Sequence, residues 1–389
     1  MKADDSRLST IDYGDLKVAI VCDWLLGTGG AERVVLELHK MFPEAPIYTS
    51  QYNSNPKIWF GDKWFEDADI RTTWLQKLPK SLKKFLPLFR AWAFSRMDLS
   101  GYDLVISSSG AEAKYIRKQE TGNRKQIHVC YCHAPTHYYW TRYEDYLKNP
   151  GFGKLDFLAR IGLRVLVGPM RRWDYKAAQR PDYFIANSNY TKEQIKKYYG
   201  RDAEVIHPPV DIERFDVRRS TLDVRSRKGF VTAGRQTPYK KIDLAVKAAT
   251  KLNVPLIVIG RGPDHKKLKR LAGRTVTFLT KVSDADIPEK FAGAEAFIFP
   301  GIDDFGIVAV EALAAGTPII AYKDGGALDY VNKTTGIFFD KQTPESLAKA
   351  LHDFSNHSFN HPVVAKQTEK FSPGEFRKRL LEFIRKLPS

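Results

Sequence analysis

Glu311 is a lone carboxylate in an otherwise apolar run, IVAVEALAA, where an unpaired charge is costly to bury. Asp303 stands eight residues earlier, with Asp304 beside it. The pattern predicts one helix from about Phe305 to Ala315, entered through an N-cap at Asp303–Asp304 and ended by Gly316 and Pro318. On that geometry the two carboxylates lie roughly 12 Å apart along the axis. Between them lie the amides of Gly306, Ile307 and Val308, at the positive end of the helix dipole. This arrangement holds an anion with an acceptor at each end, which is the layout of sugar hydroxyls, diphosphate and ribose diol in a nucleotide sugar. A plainer reading stays open: the aspartates only cap, and Glu311 pairs with a lysine.

Other residues with chemical potential sit where strands are expected to end. Gly27-Thr28-Gly29-Gly30 joins a buried strand, Leu16 to Trp24, to a helix, Ala31 to Met41. Glycines there let backbone approach a bulky anion at a helix N-terminus. Glu32 occupies the third glycine position of a dinucleotide fingerprint and no Gly-Lys-Ser/Thr follows, so neither that loop nor a Walker loop is present. His133 closes the strand Ile127 to Cys132, at the end where open α/β sheets bind ligands; a hydrogen-bonded structural histidine is the alternative. His137, Tyr138, Tyr139, Trp140 and Tyr143 follow as an aromatic surface suited to sugar rings. Arg235 and Lys240 lie in a basic loop, Gly234 to Lys241, between the strand Gly229 to Ala233 and the helix Ile242 to Leu252. They suit a diphosphate, one as a fork and one as a point charge, or are simply solvated cations.

Asp-x-Asp occurs at Asp67-Ala68-Asp69 and Asp284-Ala285-Asp286. Neither follows an apolar strand and Asp284 reads as a helix start, so no metal site is expected. Cys22, Cys130 and Cys132 fall in apolar runs and read as free thiols of a reducing compartment. Cys130-x-Cys132 is too tight for the usual zinc pair.

These residues must be positioned by two successive strand–helix series. The first adds strands at Tyr102 to Ser107, Asp182 to Asn187 and Glu204 to Ile206. His207-Pro208-Pro209-Val210-Asp211 resists helix and reads as the linker. The second adds Pro255 to Ile259, Thr275 to Leu279, Glu295 to Phe299 and Pro318 to Tyr322, and a terminal amphipathic helix spans Phe376 to Leu387. The expected organisation is a frayed arm over 1–15, one domain over 16–207, another over 208–370, and the closing segment 371–389. The chain has 389 residues, a net charge of +17 and no repeats. No run approaches the roughly 18 apolar residues of a bilayer span, and the polar, acidic opening is not a secretory signal. The cationic excess implies anionic partners. It is concentrated in Gln76 to Met97, with Lys77, Lys80, Lys83, Lys84, Arg90 and Arg96 among Leu82, Phe85, Leu86, Leu88, Phe89, Trp92 and Phe94. A second segment, Lys154 to Arg172, carries Arg160, Arg164, Arg171 and Arg172. Both suit a membrane interface; packed helices with a solvated face and nucleic-acid contact are the alternatives. Pro79 and Pro87 argue against one unbroken helix in the first.

As a set, the motifs resemble the retaining glycosyltransferases of family 4, in particular the bacterial mannosyltransferase-like members. FPGIDDFGIVAVEALAAGTPIIAYKDGG is similar to their E-x7-E region, with Asp303 at the first Glu. The loop at Gly29-Gly30-Ala31-Glu32 resembles their GGAE loop beside the donor phosphates. YCHAPTHYYW resembles H-T-P-x-R-Y-x-W with His137 in place of Arg, Gly234 to Lys240 resembles G-R-x-x-P-x-K, and His207 to Asp211 resembles their hinge. The resemblance spans most of Leu16 to Val331. It implies the GT-B fold: two Rossmann-like β/α/β domains facing across a cleft, with the last helix crossing back to the first. It implies catalytic roles for His133, Arg235, Lys240 and Asp303. Donor binding falls to Gly29, Gly30, Gly234, Arg235, Lys240, Phe305, Gly306, Ile307, Val308 and Glu311, and the acceptor side to His137, Tyr138 and Trp140. The expected reaction is metal-independent transfer with retention, the leaving phosphate serving as base and no cofactor taking part. The expected donor is GDP-mannose and the acceptor lipid-linked or an oligosaccharide, at the anionic inner face of the cell membrane. The rivals are a soluble GT-B enzyme of another donor class, such as a UDP-sugar transferase or an epimerase, and a basic nucleic-acid-binding protein. The last gives no reason for Glu311.

Overall fold

The structure, a computed structural model, describes residues 16–55, 64–79, 86–121, 124–151, 153–216 and 227–388. The expected arm, and Lys80, Leu82, Lys83, Lys84 and Phe85 of the first basic segment, lie outside the described residues. The chain divides into two compact units. The first runs to Ile206 and the second from His207, with Ser188–Tyr190 counted in the second.

Unit 1 follows an α/β order: β1 (Val18–Cys22), α1 (Gly30–Met41), β2 (Ile47–Thr49), β3 (Ile70–Thr72), α2 (Pro87–Ser95), β4 (Leu104–Ser109), β5 (Glu120–Thr121), β6 (Arg124–Lys125), β7 (Ile127–Cys132), α3 (Tyr143–Lys148), α4 (Asp156–Ala178), β8 (Tyr183–Ala186), α5 (Asn189–Tyr199) and β9 (Glu204–Val205). Among the described residues seven strands form one sheet, ordered β3-β2-β1-β4-β7-β8-β9, and every pair in it is parallel. The near-continuous apolar runs of β1 and β8 fit strands covered on both faces. The prolines of the first basic segment act as expected at one point: Pro87 occupies the first turn of α2, where a missing N–H is harmless. The second basic segment is longer than its sequence suggests. It forms the 23-residue α4, which keeps Pro169 inside it.

Unit 2 repeats the plan with β10 (Phe230–Ala233), α6 (Ile242–Leu252), β11 (Leu256–Ile259), α7 (His265–Leu271), β12 (Val276–Leu279), α8 (Ile287–Ala292), β13 (Ala296–Phe299), α9 (Ile307–Ala314), β14 (Ile319–Tyr322), β15 (Gly336–Phe339), α10 (Pro344–Phe354), α11 (His361–Lys366) and α12 (Pro373–Arg385). Its sheet is ordered β12-β11-β10-β13-β14-β15, again parallel throughout. The period of two divides side chains between two cores. Phe297, Phe299, Ile319 and Ala321 pack with Leu313 of α9, while Ile298 and Ile320 pack with Val246 of α6 and Leu351 of α10. Both sheets thus belong to the doubly wound class, which brings strand-tip loops together where the strand order reverses.

Candidate functional site

In unit 2 the order reverses between β10 and β13, and the loops that carry Arg235, Lys240 and Asp303 follow the carboxyl ends of these two strands. β10 runs into Gly234, whose φ of 140° suits glycine and whose absent Cβ would face open space. Arg235 follows, exposed. A short turn, Pro238–Lys240, ends on Lys241 in the left-handed region at φ 53° and lays Lys240 against the end of β13. A Cβ on Gly301 would stand 2.9 Å from Lys240 Cα and from its carbonyl oxygen, so glycine is what lets the two loops meet. The contact brings Lys240 Nζ onto Asp303 Oδ2 as an ion pair.

The chain then turns at Gly306, with φ 91°, into α9. This corrects the expected cap: neither Asp303 nor Asp304 caps the helix, no side chain does, and Gly306 is the N-cap residue. The helix runs from Ile307 to Ala314 rather than from Phe305 to Ala315. The reason is Gly306, whose left-handed backbone breaks the helical path. Asp303 therefore sits on a loop, and the axial spacing of Asp303 and Glu311 expected from one continuous helix does not apply. The helical distance that remains, Ile307 to Glu311, is about 6 Å. Ile307 and Val308 still present first-turn N–H groups with no carbonyl four residues back, while Ala309 N donates to Gly306 O at 3.0 Å. Asp303 and Glu311 are each 8 % exposed, so both carboxylates are largely withdrawn from water. Phe305 turns its ring inward, 5.6 Å from Tyr330 and 5.4 Å from Phe371, and its carbonyl accepts from Tyr330 Oη at 2.9 Å. The Asp324-Gly325-Gly326 turn supports this loop. Gly326 N donates to Asp303 O at 2.8 Å, and a Cβ on Gly326 would lie 2.4 Å from Phe305 Cα.

In unit 1 the reversal falls between β1 and β4. Gly29 is the N-cap residue of α1 and Gly30 its first helical residue. A Cβ on Gly29 would come within 2.6 Å of Glu32 Oε2. Asp23, at the tip of β1, ties this edge to the β4 loop. It accepts from the N–H groups of Gly110 at 2.7 Å, Ala111 at 3.0 Å and Ala113 at 2.7 Å. Burial first, and the Glu112 charge next, push its carboxyl up to about 6 against the pull of those N–H groups. His133, past the end of β7, meets Ser108 Oγ through Nε2 at 2.7 Å. Its carbonyl accepts from Asn187 Nδ2 at 2.9 Å. Asp23, the Gly110 loop and His133 therefore adjoin, and a Cβ on Gly110 would stand 3.6 Å from His133 Cβ.

His137, Tyr138 and Trp140 are half-buried, and two of their polar ends are committed inward. Tyr138 Oη donates to Glu112 Oε1. Trp140 Nε1 donates to Asp174 Oδ2 at 2.7 Å. His137 Nδ1 meets Thr141 Oγ1 at 2.8 Å. Beneath them lies a buried charged network absent from the sequence reading. Arg90 Nε donates to Glu112 at 2.7 Å. Asp174, on α4, accepts from Lys114 at 2.9 Å, Tyr115 at 2.9 Å, Thr136 at 3.0 Å, Trp140 and Tyr199, the last at 2.7 Å. Burial pulls the Lys114 ammonium down, but Asp174 outweighs it and the group is raised.

Sequence reasoning missed Asp23, Glu112, Lys114 and Asp174, and it placed Arg90 among the cations of a membrane-facing segment, whereas the fold buries Arg90 against Glu112. For Asp23 a signal existed, since it is the only charge between Val18 and Trp24. For the others none did: the ion pairs that bury them, Arg90 with Glu112 and Lys114 with Asp174, join residues 22 and 60 positions apart. Among the described residues no group of His, Cys, Asp and Glu is arranged to hold a metal ion. The three thiols are free and buried.

Residues 28–214 match the family model described as Glycosyltransferase Family 4, and residues 213–371 that described as Glycosyl transferases group 1. The chain is 25% identical over 421 residues to the alpha-1,3/1,6-mannosyltransferase ALG2 of Mus musculus, covering 93% of this chain and 94% of that one. A partial match, 32% identical over 174 residues, links it to the D-inositol 3-phosphate glycosyltransferase of Mycobacterium tuberculosis, over 39% of this chain and 36% of that one. Among solved structures, HepE of Anabaena in complex with UDP and glucose aligns with a TM-score of 0.63 at 19% identity, over 96% of this chain and all of the other. The lipopolysaccharide outer core galactosyltransferase WaaB aligns at 0.66 and 17%, with coverage of 96% and 100%. At these identities the structures speak for the fold, which is GT-B.

Proposed function

We propose that this chain, which belongs to glycosyltransferase family 4, moves mannose from GDP-mannose to a lipid-linked or oligosaccharide acceptor at the cytoplasmic membrane face, with retention of configuration. One observation carries the reading: Lys240 is paired to Asp303 at the end of β13, beside the open N-terminus of α9. A diphosphate leaving a sugar takes negative charge onto oxygen, and catalysis requires fixed positive groups aimed at that charge. Lys240, Arg235 and the N–H groups of Ile307 and Val308 supply them. Asp303 is offered to the sugar hydroxyls and Glu311 to the ribose diol. In unit 1, His133 is offered to the donor sugar, and His137, Tyr138 and Trp140 to the acceptor side. The full-length relationship to a protein named as a mannosyltransferase supports mannose as the sugar.

The C1–O bond to the phosphate breaks through an oxocarbenium-like state. The acceptor oxygen bonds to C1 on the face the diphosphate leaves, and its proton passes to the departing phosphate oxygen. With the charge met by fixed cations and amides, the transfer runs without a metal or a cofactor. The membrane acceptor is supported by α4. It exposes Phe157, Leu158, Ile161, Val165 and Leu166 and carries Arg160, Arg164, Arg171 and Arg172, the composition of an interfacial helix. Trp74, Phe89 and Trp92 add an exposed aromatic group whose rings lie 6.1 and 6.2 Å apart. No helix among the described residues is long and apolar enough to cross a membrane.

The test is a thermal-shift screen of GDP-mannose, UDP-glucose and UDP-N-acetylglucosamine, since a donor bound only to the folded chain stabilises it by mass action. Radiolabelled product analysis of the best donor follows. Stabilisation by GDP-mannose with mannosyl product of unchanged anomeric configuration is expected. A response to UDP-sugars alone transfers the chain to another donor class, and inversion removes the mechanism.

A further inference from the structure

A second cationic pocket lies in unit 1, away from every residue assigned above. It is a cavity of ≈ 430 Å³ lined by Arg117, Lys118, Gln179, Arg180, Pro181, Asp182 and Arg201. Its place in the sheet separates it from the expected catalytic end. Asp182 precedes β8 and exchanges bonds with the start of β7: His128 N donates to Asp182 Oδ2 at 2.9 Å, and Asp182 N to His128 O at 2.8 Å. His133, by contrast, lies past the opposite end of β7, about 16 Å along a strand at roughly 3.3 Å per residue. Ligands of open parallel sheets gather at the carboxyl ends, so this amino-terminal pocket is not a wing of that site.

Four cations line it against one carboxylate, and that carboxylate is already engaged. Asp182 Oδ1 takes Lys118 Nζ at 2.6 Å. Burial would raise the Asp182 carboxyl, but the His128 N–H and Lys118 hold it below its usual range. Arg201 spends its fork on the carbonyls of Ala178, Pro181 and Asp182, and Arg180 donates to the carbonyl of Tyr115. Both guanidinium groups are thus held by backbone carbonyls at the cavity wall. Arg117 is exposed and stands near enough to Arg180 for its charge to act on it. Burial first, and the Arg117 charge next, push the Arg180 guanidinium down. The one other titratable ring nearby does not help. Burial drives His128 to about 3, and the charges of Lys118, Arg180 and Arg201 add to this against Asp182, so the imidazole stays neutral.

We propose that this pocket is a second anion site, for a phosphoryl group carried by a soluble phosphate compound or by a lipid headgroup. Crowded cations are destabilising until an anion joins them. Guanidinium forks and an ammonium together match phosphate oxygens, and the volume lies in the range of small-ligand pockets.

The test uses the full chain, with inorganic pyrophosphate in calorimetry and vesicles of phosphatidylglycerol and phosphatidylcholine in co-sedimentation. Arg117→Glu is the main variant, because Arg117 is exposed and its loss leaves the fold intact. Arg180→Gln is the second. Wild type is expected to show two pyrophosphate events. Arg117→Glu weakens one of them by at least about tenfold, the scale of one charge-assisted contact, and Lys240→Ala affects only the other. Loss of the soluble event identifies a free phosphate compound as the natural ligand type. Loss of vesicle binding with pyrophosphate unchanged identifies a headgroup. Pyrophosphate and vesicle binding both unchanged in Arg117→Glu and Arg180→Gln would overturn the proposal, and this result is independent of whether Lys240 serves a donor.

Discussion

Gly306→Ala tests the start of α9. Gly306 sits at φ 91°, and a Cβ there would lie 2.6 Å from Phe299 Cζ and 2.7 Å from Tyr330 Oη. The left-handed backbone costs an L-residue about 1–2 kcal/mol, and forcing a methyl against two buried rings costs about 1–3 kcal/mol more. The sum is roughly 2–5 kcal/mol, all borne by unit 2. Tyr330 is anchored by its bond to Phe305 O and cannot swing away without losing it, so relief must come from moving the loop or the helix start. Either shift re-aims the Ile307 and Val308 amides. Two readouts are expected to change together: the denaturant midpoint of unit 2 falls, and donor affinity in thermal shift weakens. Gly101→Ala is the control, because a Cβ there meets nothing within 4 Å, and it should stay within about 0.5 kcal/mol of wild type. If Gly306→Ala unfolds at the wild-type midpoint with unchanged donor binding, the left-handed entry is not required and the account of this loop is wrong.

Lys240→Ala is expected to lower kcat by about 10²–10³, the cost of one lost oxyanion-type donor; near-normal turnover would remove Lys240 from the chemistry. Activity should persist after dialysis against a chelator, and its abolition would contradict a metal-independent transfer. Acid stability carries a signed test. Asp23, raised to about 6 when folded, contributes stability present at low pH and lost as pH rises to 6. His128, lowered to about 3, contributes stability lost as pH falls below its usual range. Between about pH 4 and 6 the two oppose, one proton each. Asp23→Asn should therefore lose about 1.4 kcal/mol more than wild type per pH unit of acidification, and parallel curves for the two proteins would refute the assignment. Phe157 and Val165 are 67% and 68% exposed; replacing both by Ser should abolish flotation with anionic vesicles, and unchanged flotation would exclude α4 as the contact.

Much of the fold was readable because buried parallel strands are short apolar runs and glycine or proline marks their ends. Val18–Cys22, Ile127–Cys132 and Ala296–Phe299 lie within the stretches read as strands. β2 and β3, at three residues each, are too short to stand out. The family and the GT-B fold were legible through the resemblance of the motifs, taken as a set, to family 4. The cap on α9 was not, because an aspartate before a helix reads the same whether it caps or faces away. Only the conformation of Gly306 decides, and that depends on the space Phe299 and Tyr330 leave. Lys240 and Asp303, 63 residues apart, were each singled out, but their pairing depends on Gly301 letting two loops touch. The unit 1 network was invisible for a related reason: Lys114 and Glu112 look like ordinary surface residues until the fold buries them.

Asp174 binds five donors drawn from widely separated stretches of the chain. Replacing it alone strands the Lys114 ammonium in the interior, at about 3–5 kcal/mol, and replacing Lys114 alone strands the carboxylate. An apolar substitute for the pair is not penalised in the same way. Its history should therefore be one of joint substitution: relatives are expected either to keep the acid and the amine together or to have exchanged both, and a chimaera that swaps only one of the two stretches should fold poorly even when each parent is sound.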